Sequence, residues 1–373
     1  MPFDRKELAS KLLLSMESKN VSAIVAYSNG VATIADTDAI WSLTRYRAID
    51  RTALIITREG YEKLIVAPSW ERGRAAEHFD GEVIATDDFH VELKDSLRKA
   101  GIHGNLGVAG KSCIDNLTEA AIKSVVNVKS LVDADLIIRD LGKIRSRDEV
   151  ESATRAAEIA RKGYERLLEC AKPNIYEYEL SAEVSCYMRS LGSGDVFQLL
   201  CSSQHNLYLH HPTNRLLEEN DVILAELSPS VDGVFTQSCH TIVVGEISST
   251  LKKNYDLLTR AFESGLYAIK PGRKVSEIAS RVSGVIEDAG YGEYCRPPYT
   301  RARGHGLGIG SIVPGDITQE NETVLEEGMM FVLHPNQYLP ETGYLLCGDT
   351  VLVSNGGGRR LSSEAIEIGS VQG

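Results

Sequence analysis

Long apolar runs and a basic excess are both missing from this sequence. No run of about 18 apolar residues occurs, so the chain predicts no membrane-spanning helix. Its 40 Lys and Arg stand against 52 Asp and Glu, and the net charge of −12 argues against a nucleic-acid-binding surface. The amino terminus lacks the basic segment followed by an apolar run that marks a signal peptide. We therefore expect neither a nucleic acid nor a membrane as a partner.

Paired cysteines are missing as well. The seven cysteines are an odd number at scattered positions, and no two of them form a Cys-x-x-Cys pair. This pattern is not that of the disulfide framework of a small secreted domain. A reduced, cytoplasmic protein is therefore expected.

The chain is long enough for two domains with a large core. Of its 373 residues, 43% are hydrophobic and 25% are charged, which is ordinary for a globular protein. In the first part, residues 21–27, 52–57 and 63–68 have the pattern of buried strands, and residues 58–60 that of a hairpin turn. Strands that alternate with helical patterns predict an α/β domain here.

A break in the pattern near residues 139–147 separates the two parts. Ser146 is a suitable N-cap, and Glu149 three residues later completes a capping box, so a helix is predicted to begin here. We place the boundary between a domain of residues 1–142 and a domain of residues 143–373.

The second part contains a weak internal repeat. Two helices around Pro173 precede the strand-rich residues 195–244, and two helices around Pro271 precede the strand-rich residues 295–353. Two such units packed face to face predict a pseudo-twofold α+β domain with a cleft between its sheets.

Polar and glycine-rich segments recur among the apolar strands of this second part. They are Ala225-Glu226-Leu227, Thr236-Gln237-Ser238-Cys239-His240-Thr241, Gly304-His305-Gly306-Leu307-Gly308, Met330-Phe331-Val332-Leu333-His334-Pro335 and Gly348-Asp349-Thr350-Val351. Their order resembles the family that contains creatinase, prolidase, aminopeptidase P and methionine aminopeptidase. The resemblance implies a small amino-terminal creatinase-like α/β domain followed by a pita-bread domain of the α+β class, as in creatinase and prolidase.

In the peptidases of this family, five positions in these segments hold Asp, Asp, His, Glu and Glu, which bind two divalent metals. The corresponding residues here are Glu226, Gln237, His305, His334 and Gly348. Gln237 is uncharged and Gly348 has no side chain, so neither can bridge two cations. With these replacements, the resemblance predicts no conventional two-metal site and no other cofactor.

A mononuclear metal site is the alternative that these replacements leave open. Glu226, His305 and His334 provide one carboxylate and two imidazoles, the ligand set of a facial triad for one Fe, Zn or Mn ion. In the family, however, the position of Glu226 serves a different metal from the positions of the two histidines, which argues against a shared ion.

Creatinase hydrolyses a small C–N bond without metal, and the segment of its catalytic histidine resembles residues 209–215, Leu-His-His-Pro-Thr-Asn-Arg. Because the segment is one residue shorter here, His210 or His211 is the candidate, and we favour His210. The resemblance also marks Arg51 as the nearest match to an arginine that creatinase uses, across its dimer, to hold a substrate carboxylate. Cys239 stands where creatinase has a carboxylate, which argues against creatine itself as the substrate.

The leading hypothesis is a metal-independent hydrolase, in a homodimer, that cleaves a C–N bond of a small polar substrate of the amide, amidine or ureido type. His210 would act as general base and acid, and Glu226 would hold the substrate nitrogen or the water. His305 and His334 would stabilise an oxyanion or a substrate carboxylate. The predicted substrate-binding residues are Arg51, His211, Gln237, Cys239 and Arg303. The alternatives are a non-catalytic binding protein on a dead Xaa-Pro peptidase scaffold and a mononuclear metalloenzyme related to Xaa-Pro dipeptidases.

Overall fold

The computed structural model describes residues 5–31, 33–124, 128–310, 313–363 and 366–372. Its chain divides into two compact units, Met1–Gly142 and Lys143–Gly373. Buried hydrophobic clusters lie inside each unit, so each has a core of its own.

A six-stranded sheet forms the centre of the first unit. Its strands are β1 (Ala23–Ser28), β2 (Thr52–Thr57), β3 (Glu62–Val66), β4 (Glu82–Ala85), β5 (Gly104–Ala109) and β6 (Val128–Asp133). They lie in the order β4-β3-β2-β1-β5-β6, in which β1 runs parallel to β5 and antiparallel to β2. The α-helices found with it in the described part of this unit are α1 (Arg5–Ser18), α2 (Ala39–Thr44), α3 (Arg72–Ala76), α4 (Phe89–Lys99), α5 (Asn116–Lys123) and α6 (Asp135–Leu141). Every residue of β1 and β2 is buried, which is why these strands appear in the sequence as continuous apolar runs.

Two helix pairs begin the two halves of the second unit. The first pair is α7 (Arg147–Cys170) and α8 (Glu177–Ser190), and the second is α9 (Ser249–Ala268) and α10 (Val275–Ile286). The predicted capping box opens α7: the Ser146 hydroxyl accepts from Glu149 N–H (3.3 Å), and the Glu149 carboxylate accepts from Ser146 N–H (2.8 Å). Each pair precedes strands, as the internal repeat predicts.

The strands of the second unit form two sheets and a hairpin. In chain order they are β7 (Val196–Ser203), β8 (Val222–Val231), β9 (Val234–Phe235), β10 (Ser238–Val244), β11 (Gly304–Gly306), β12 (Met330–Leu333), β13 (Gln337–Leu339), β14 (Gly343–Leu345), β15 (Asp349–Ser354), β16 (Gly357–Arg360) and β17 (Gly369–Val371). The first sheet has the order β17-β10-β8-β7, with β9 paired to β8, and the second has the order β11-β12-β15-β16. Strands β13 and β14 pair with each other.

A backbone bridge connects the two sheets. Cys239 on β10 pairs antiparallel with Gly348, which directly precedes β15, and its N–H donates to the Gly348 carbonyl at 3.0 Å. The bridge makes neighbours of strands that lie more than 100 residues apart, and it positions the candidate site.

Candidate active site

One row of neighbouring residues begins on the first sheet of the second unit. Glu226 on β8 lies opposite Cys239 on β10, and Cys239 lies opposite Gly348 through the bridge between the sheets. Residues opposite each other on antiparallel strands project to the same face. The Glu226 and Cys239 side chains are therefore neighbours on one face.

The row continues onto the second sheet. A Cβ added to Gly348 would lie 2.6 Å from the Cβ of His334, so the two backbones approach closely. The His334 N–H donates to the carbonyl of Arg303 (3.0 Å). His305, two residues beyond Arg303, places its ring edge-on to the ring of His334, with centroids 5.7 Å apart. Strand register thus places Glu226, Cys239, Gly348, His334 and His305 in a row across five neighbouring backbone segments.

Glu226 is a half-buried carboxyl whose direct partners are neutral. Its Oε1 accepts from Nδ2 of Asn336 (3.4 Å) and contacts Sγ of Cys239 (3.8 Å). In the part of the chain that the structure describes, no basic side chain forms an ion pair with it. Burial raises the pKa of Glu226 to about 7, and the hydrogen bonds from Cys239 and Asn336 oppose this only partly. Both protonation states of Glu226 are therefore populated near neutral pH.

The two histidine rings at the other end of the row are neutral near pH 7. His305 Nδ1 lies 3.1 Å from the Gly306 carbonyl oxygen, and because a carbonyl only accepts, Nδ1 carries the proton and Nε2 the lone pair. His334 Nδ1 is buried and finds no hydrogen-bond partner among the described residues. Burial, followed by the neighbouring His305, lowers the pKa of His334 to about 3, and burial also lowers the pKa of His305.

Gln237 and Cys239 are buried beside Glu226. The Gln237 N–H donates to Thr350 Oγ1 (2.8 Å), and its Nε2 contacts Sγ of Cys239 (3.8 Å). Burial, and then the charge of Glu226, raise the pKa of the Cys239 thiol well above its usual range. Cys239 is therefore a neutral thiol that packs against Glu226, and it lacks the low pKa of a nucleophilic cysteine.

His210 and His211 lie in the loop that connects β7 to β8. The buried carboxylate of Glu177, the first residue of α8, holds this loop. It accepts from the N–H and hydroxyl of Ser202 on β7 (2.7 and 2.8 Å) and from the N–H and hydroxyl of Thr213 in the loop (2.9 and 2.7 Å). Four donors on one carboxylate fix the loop against its strand.

The two loop histidines have different surroundings. The His211 ring packs edge-on against Phe197 (6.2 Å between centroids), and Phe197 lies two residues along β7 from Leu199, which is opposite Glu226. Because alternate residues of a strand share a face, His211 lies on the face that carries Glu226. His210 Nδ1 instead donates to the His211 carbonyl (2.7 Å), which leaves its Nε2 as the basic atom.

The two arginines predicted to bind a substrate anion are engaged in other contacts. Arg51 belongs to the first unit, where its Nε donates to the carboxylate of Asp115 (3.0 Å). Arg303 is only 2% exposed, and it donates from Nε to Ser283 Oγ (3.1 Å) and from Nη1 to Gln337 Oε1 (3.0 Å). Arg303 is therefore enclosed within the second unit, and Arg51 has a carboxylate partner of its own.

Residues 151–355, more than half of the chain, match the model of metallopeptidase family M24. The chain belongs to this family. The Xaa-Pro dipeptidase of Pyrococcus furiosus is 28% identical over 313 residues, which cover 83% of this chain and 87% of that relative. The Xaa-Pro dipeptidase of Pyrococcus horikoshii is 24% identical over 365 residues, which cover 97% and 98%.

Solved structures show the same fold. The prolidase of Pyrococcus horikoshii superposes with a TM-score of 0.86 at 25% identity over 97% of this chain and 99% of that one. The Xaa-Pro dipeptidase of Bacillus anthracis has a TM-score of 0.85 at 20% identity over 99% and 100%. The predicted α+β, pita-bread class and the M24 resemblance are confirmed. Along the described ranges, no helix has the length and apolar character needed to cross a membrane.

The side chains of this M24 protein do not fit the two-metal centre that the family implies. The neutral amide of Gln237 contacts a thiol, and the backbone at Gly348 has no room for a ligand side chain. Among the residues that the structure describes, no three His, Cys, Asp or Glu side chains form a group that could hold a metal ion. The mononuclear site of Glu226, His305 and His334 stays a prediction from the sequence.

Three site residues of the M24 unit lie outside the sequence prediction. Asn336 donates to Glu226, and Glu177 anchors the loop of the two histidines. Burial raises the pKa of Tyr344, and the nearby charge of Glu226 raises it further. Asn336 carries the clearest signal in the sequence, because a polar side chain directly after the buried run of β12 and Pro335 has to find a partner in the interior.

Proposed function

We propose that this M24 protein is a metal-independent hydrolase that cleaves a C–N bond of a small polar substrate, with Glu226 as the group that moves the proton. The observation that carries the proposal is the Glu226 carboxyl itself. It is half-buried beside neutral partners, its pKa is about 7, and its Oε2 accepts no hydrogen bond from the described residues. A carboxyl poised near the working pH suits general acid–base catalysis.

In the proposed reaction, Glu226 first accepts a proton and then donates it. The Glu226 carboxylate takes a proton from a water molecule as the water oxygen bonds to the substrate carbon. The neutral carboxyl then returns that proton to the leaving nitrogen as the C–N bond breaks. Because both forms of Glu226 are populated near pH 7, neither step requires an extreme proton affinity.

The histidines receive narrower roles than in the sequence hypothesis. With its proton on Nδ1, neutral His305 presents an acceptor, so we assign it to a substrate N–H and not to an oxyanion. His211, on the face that carries Glu226, is the better placed of the two loop histidines to contact substrate, and His210 keeps a basic Nε2. The small-molecule substrate, the homodimer and the cytoplasmic location remain predictions.

Replacement of Glu226 by glutamine tests the proposal. Turnover of a panel of small amides, ureido compounds and amidines should fall by about 10²- to 10⁴-fold in Glu226→Gln, the usual contribution of a positioned acid–base group. Glu327→Gln, an exposed glutamate in the turn before β12, is the control and should keep the wild-type rate. The wild-type kcat/KM should show an inflection near pH 7.

Metal analysis of the same preparations is the second arm. Wild-type protein should contain less than one equivalent of transition metal and keep its turnover after chelation. A stoichiometric metal that chelation removes together with activity contradicts the metal-free mechanism. Binding of panel compounds without turnover would instead favour the binding-protein alternative.

A further inference from the structure

The hydrogen-bond donors around Glu226 converge on one of its two oxygens. Asn336 Nδ2 donates to Oε1 (3.4 Å), and the Cys239 thiol donates to the same oxygen (3.8 Å). Asn336 Nδ2 also lies 4.0 Å from Cys239 Sγ, so the three groups form one compact cluster. In the described part of the chain, no donor reaches Oε2.

The orientation of the Asn336 amide follows from its other contact. The backbone N–H of Cys347 donates to Asn336 Oδ1 (3.0 Å), and an N–H can only donate, so this side of the amide is the carbonyl. The NH₂ group therefore faces Glu226. Asn336 is only 4% exposed, and its own backbone carbonyl accepts from Arg303 (3.4 Å), so it is held from both sides.

The two oxygens of Glu226 are consequently unequal. An oxygen that accepts two hydrogen bonds has no free lone pair directed at a proton, whereas Oε2 keeps both of its lone pairs. We propose that Asn336 is a positioning residue that fixes Oε1 of Glu226 as the acceptor and leaves Oε2 to carry the proton transferred in the hydrolysis, an inference that rests on the proposed function.

The other groups that face Glu226 leave this assignment to Asn336 and Cys239. His211 lies on the same face, but its ring packs against Phe197. Leu199 on β7, directly opposite Glu226, is apolar. Cys239 on β10 and Tyr344 on β14 are titratable, but both have a raised pKa and stay neutral near pH 7. Arg303 is positively charged, and it donates to the backbone carbonyl of Asn336.

Infrared titration of the protonated carboxyl measures this role without a substrate. The carbonyl stretch of neutral Glu226 is identified as the band that Glu226→Gln removes, and its midpoint is followed against pH. Asn336→Leu removes a donor to the ionised form, so the midpoint should rise by about one pH unit. Asn336→Asp keeps an acceptor for Cys347 N–H but adds a second carboxyl, so the pair should share a proton and lose the last one at higher pH.

Tyr338→Phe on the adjacent hairpin is the control, since the Tyr338 ring packs on Tyr294 and Tyr299 and its hydroxyl makes no hydrogen bond to Glu226. Its midpoint should equal that of the wild type. Equal midpoints in wild type, Asn336→Leu and Asn336→Asp would overturn the positioning role. The two proposals fail separately. If Glu226→Gln keeps full turnover while the Asn336 variants move the midpoint, the hydrolase mechanism falls and Asn336 still positions Glu226.

Discussion

At Gly348, the backbone itself leaves no space for the glutamate that the M24 metal site has at this position. A Cβ at this position would lie 2.6 Å from His334 Cβ and 2.7 Å from the Leu333 carbonyl oxygen. Both distances are far below ordinary carbon contacts. The close approach of β12 and β15 therefore depends on glycine, and the family's glutamate does not fit here without movement of a strand.

This close approach predicts that Gly348→Ala is destabilising. Forcing a methyl group into a packed interior moves its surroundings, and the free energy of unfolding should fall by about 2 kcal/mol. Chemical denaturation followed by circular dichroism measures the change. Gly284→Ala on α10 is the matched control: apart from its chain neighbours and the backbone of its own helix, no described atom lies within 4 Å of the added Cβ. Alanine should stabilise the helix by about 0.5–1 kcal/mol. Equal effects of the two substitutions would contradict the close approach.

At the residue scale, the sequence predicts which positions matter better than it predicts their contacts. The spacing of Glu226 and Gln237 and the glycines around His305 are local patterns, and local patterns identify positions. The partner of Glu226 is Asn336, 110 residues further along the chain. That contact depends on the order of strands across two sheets, so no nearby residues encode it.

At the element scale, the loop of His210 and His211 depends on one carboxylate. Glu177 is fully buried at the start of α8, and its four hydrogen bonds join β7 to the loop. Sequence reasoning found the start of α7 because its capping box is local. It did not find the role of Glu177, because Ser202 and Thr213 follow it by 25 and 36 residues.

Glu177→Gln should therefore loosen the histidine loop. One face of the glutamine amide is a donor and opposes the donors of Ser202 or Thr213, so buried groups lose their partners. The free energy of unfolding should fall by about 2–3 kcal/mol, and hydrogen exchange in residues 204–215 should accelerate. Glu183→Gln on the same helix removes only an exposed ion pair with Arg166, and it should change stability by less than about 1 kcal/mol. Unchanged exchange in Glu177→Gln would contradict the anchoring role.

Across the second unit as a whole, burial lowers the pKa of some ionisable side chains and raises the pKa of others. Desolvation lowers the pKa of His240 and of His334 to about 3, whereas desolvation raises the pKa of Glu226 to about 7. The alternation of strands and helices predicted the fold class. The bridge between the sheets could not be predicted, because it joins strand ends without a distinctive sequence.

The sign of each contribution to stability follows from proton binding. Between about pH 4.5 and 6.5, unfolding lets His240 and His334 each take up a proton, and it makes Glu226 release one. The histidines therefore destabilise the folded protein as the pH falls below about 6.5. The contribution of Glu226 is opposite: it stabilises the folded protein at low pH and is lost as the pH rises through about 7.

Two variants should consequently change the pH dependence of stability in opposite directions. One proton corresponds to about 1.4 kcal/mol per pH unit. In His240→Phe, the slope of unfolding free energy against pH over pH 4.5–6.5 should be about 1.4 kcal/mol per pH unit smaller than in the wild type. In Glu226→Gln it should be larger by the same amount. Urea denaturation at several pH values measures the slopes. A change in packing shifts the unfolding free energy equally at every pH, so it leaves the slope unchanged. If both variants keep the wild-type slope, His240 and Glu226 titrate at their ordinary pKa values, and their desolvation is not present in solution.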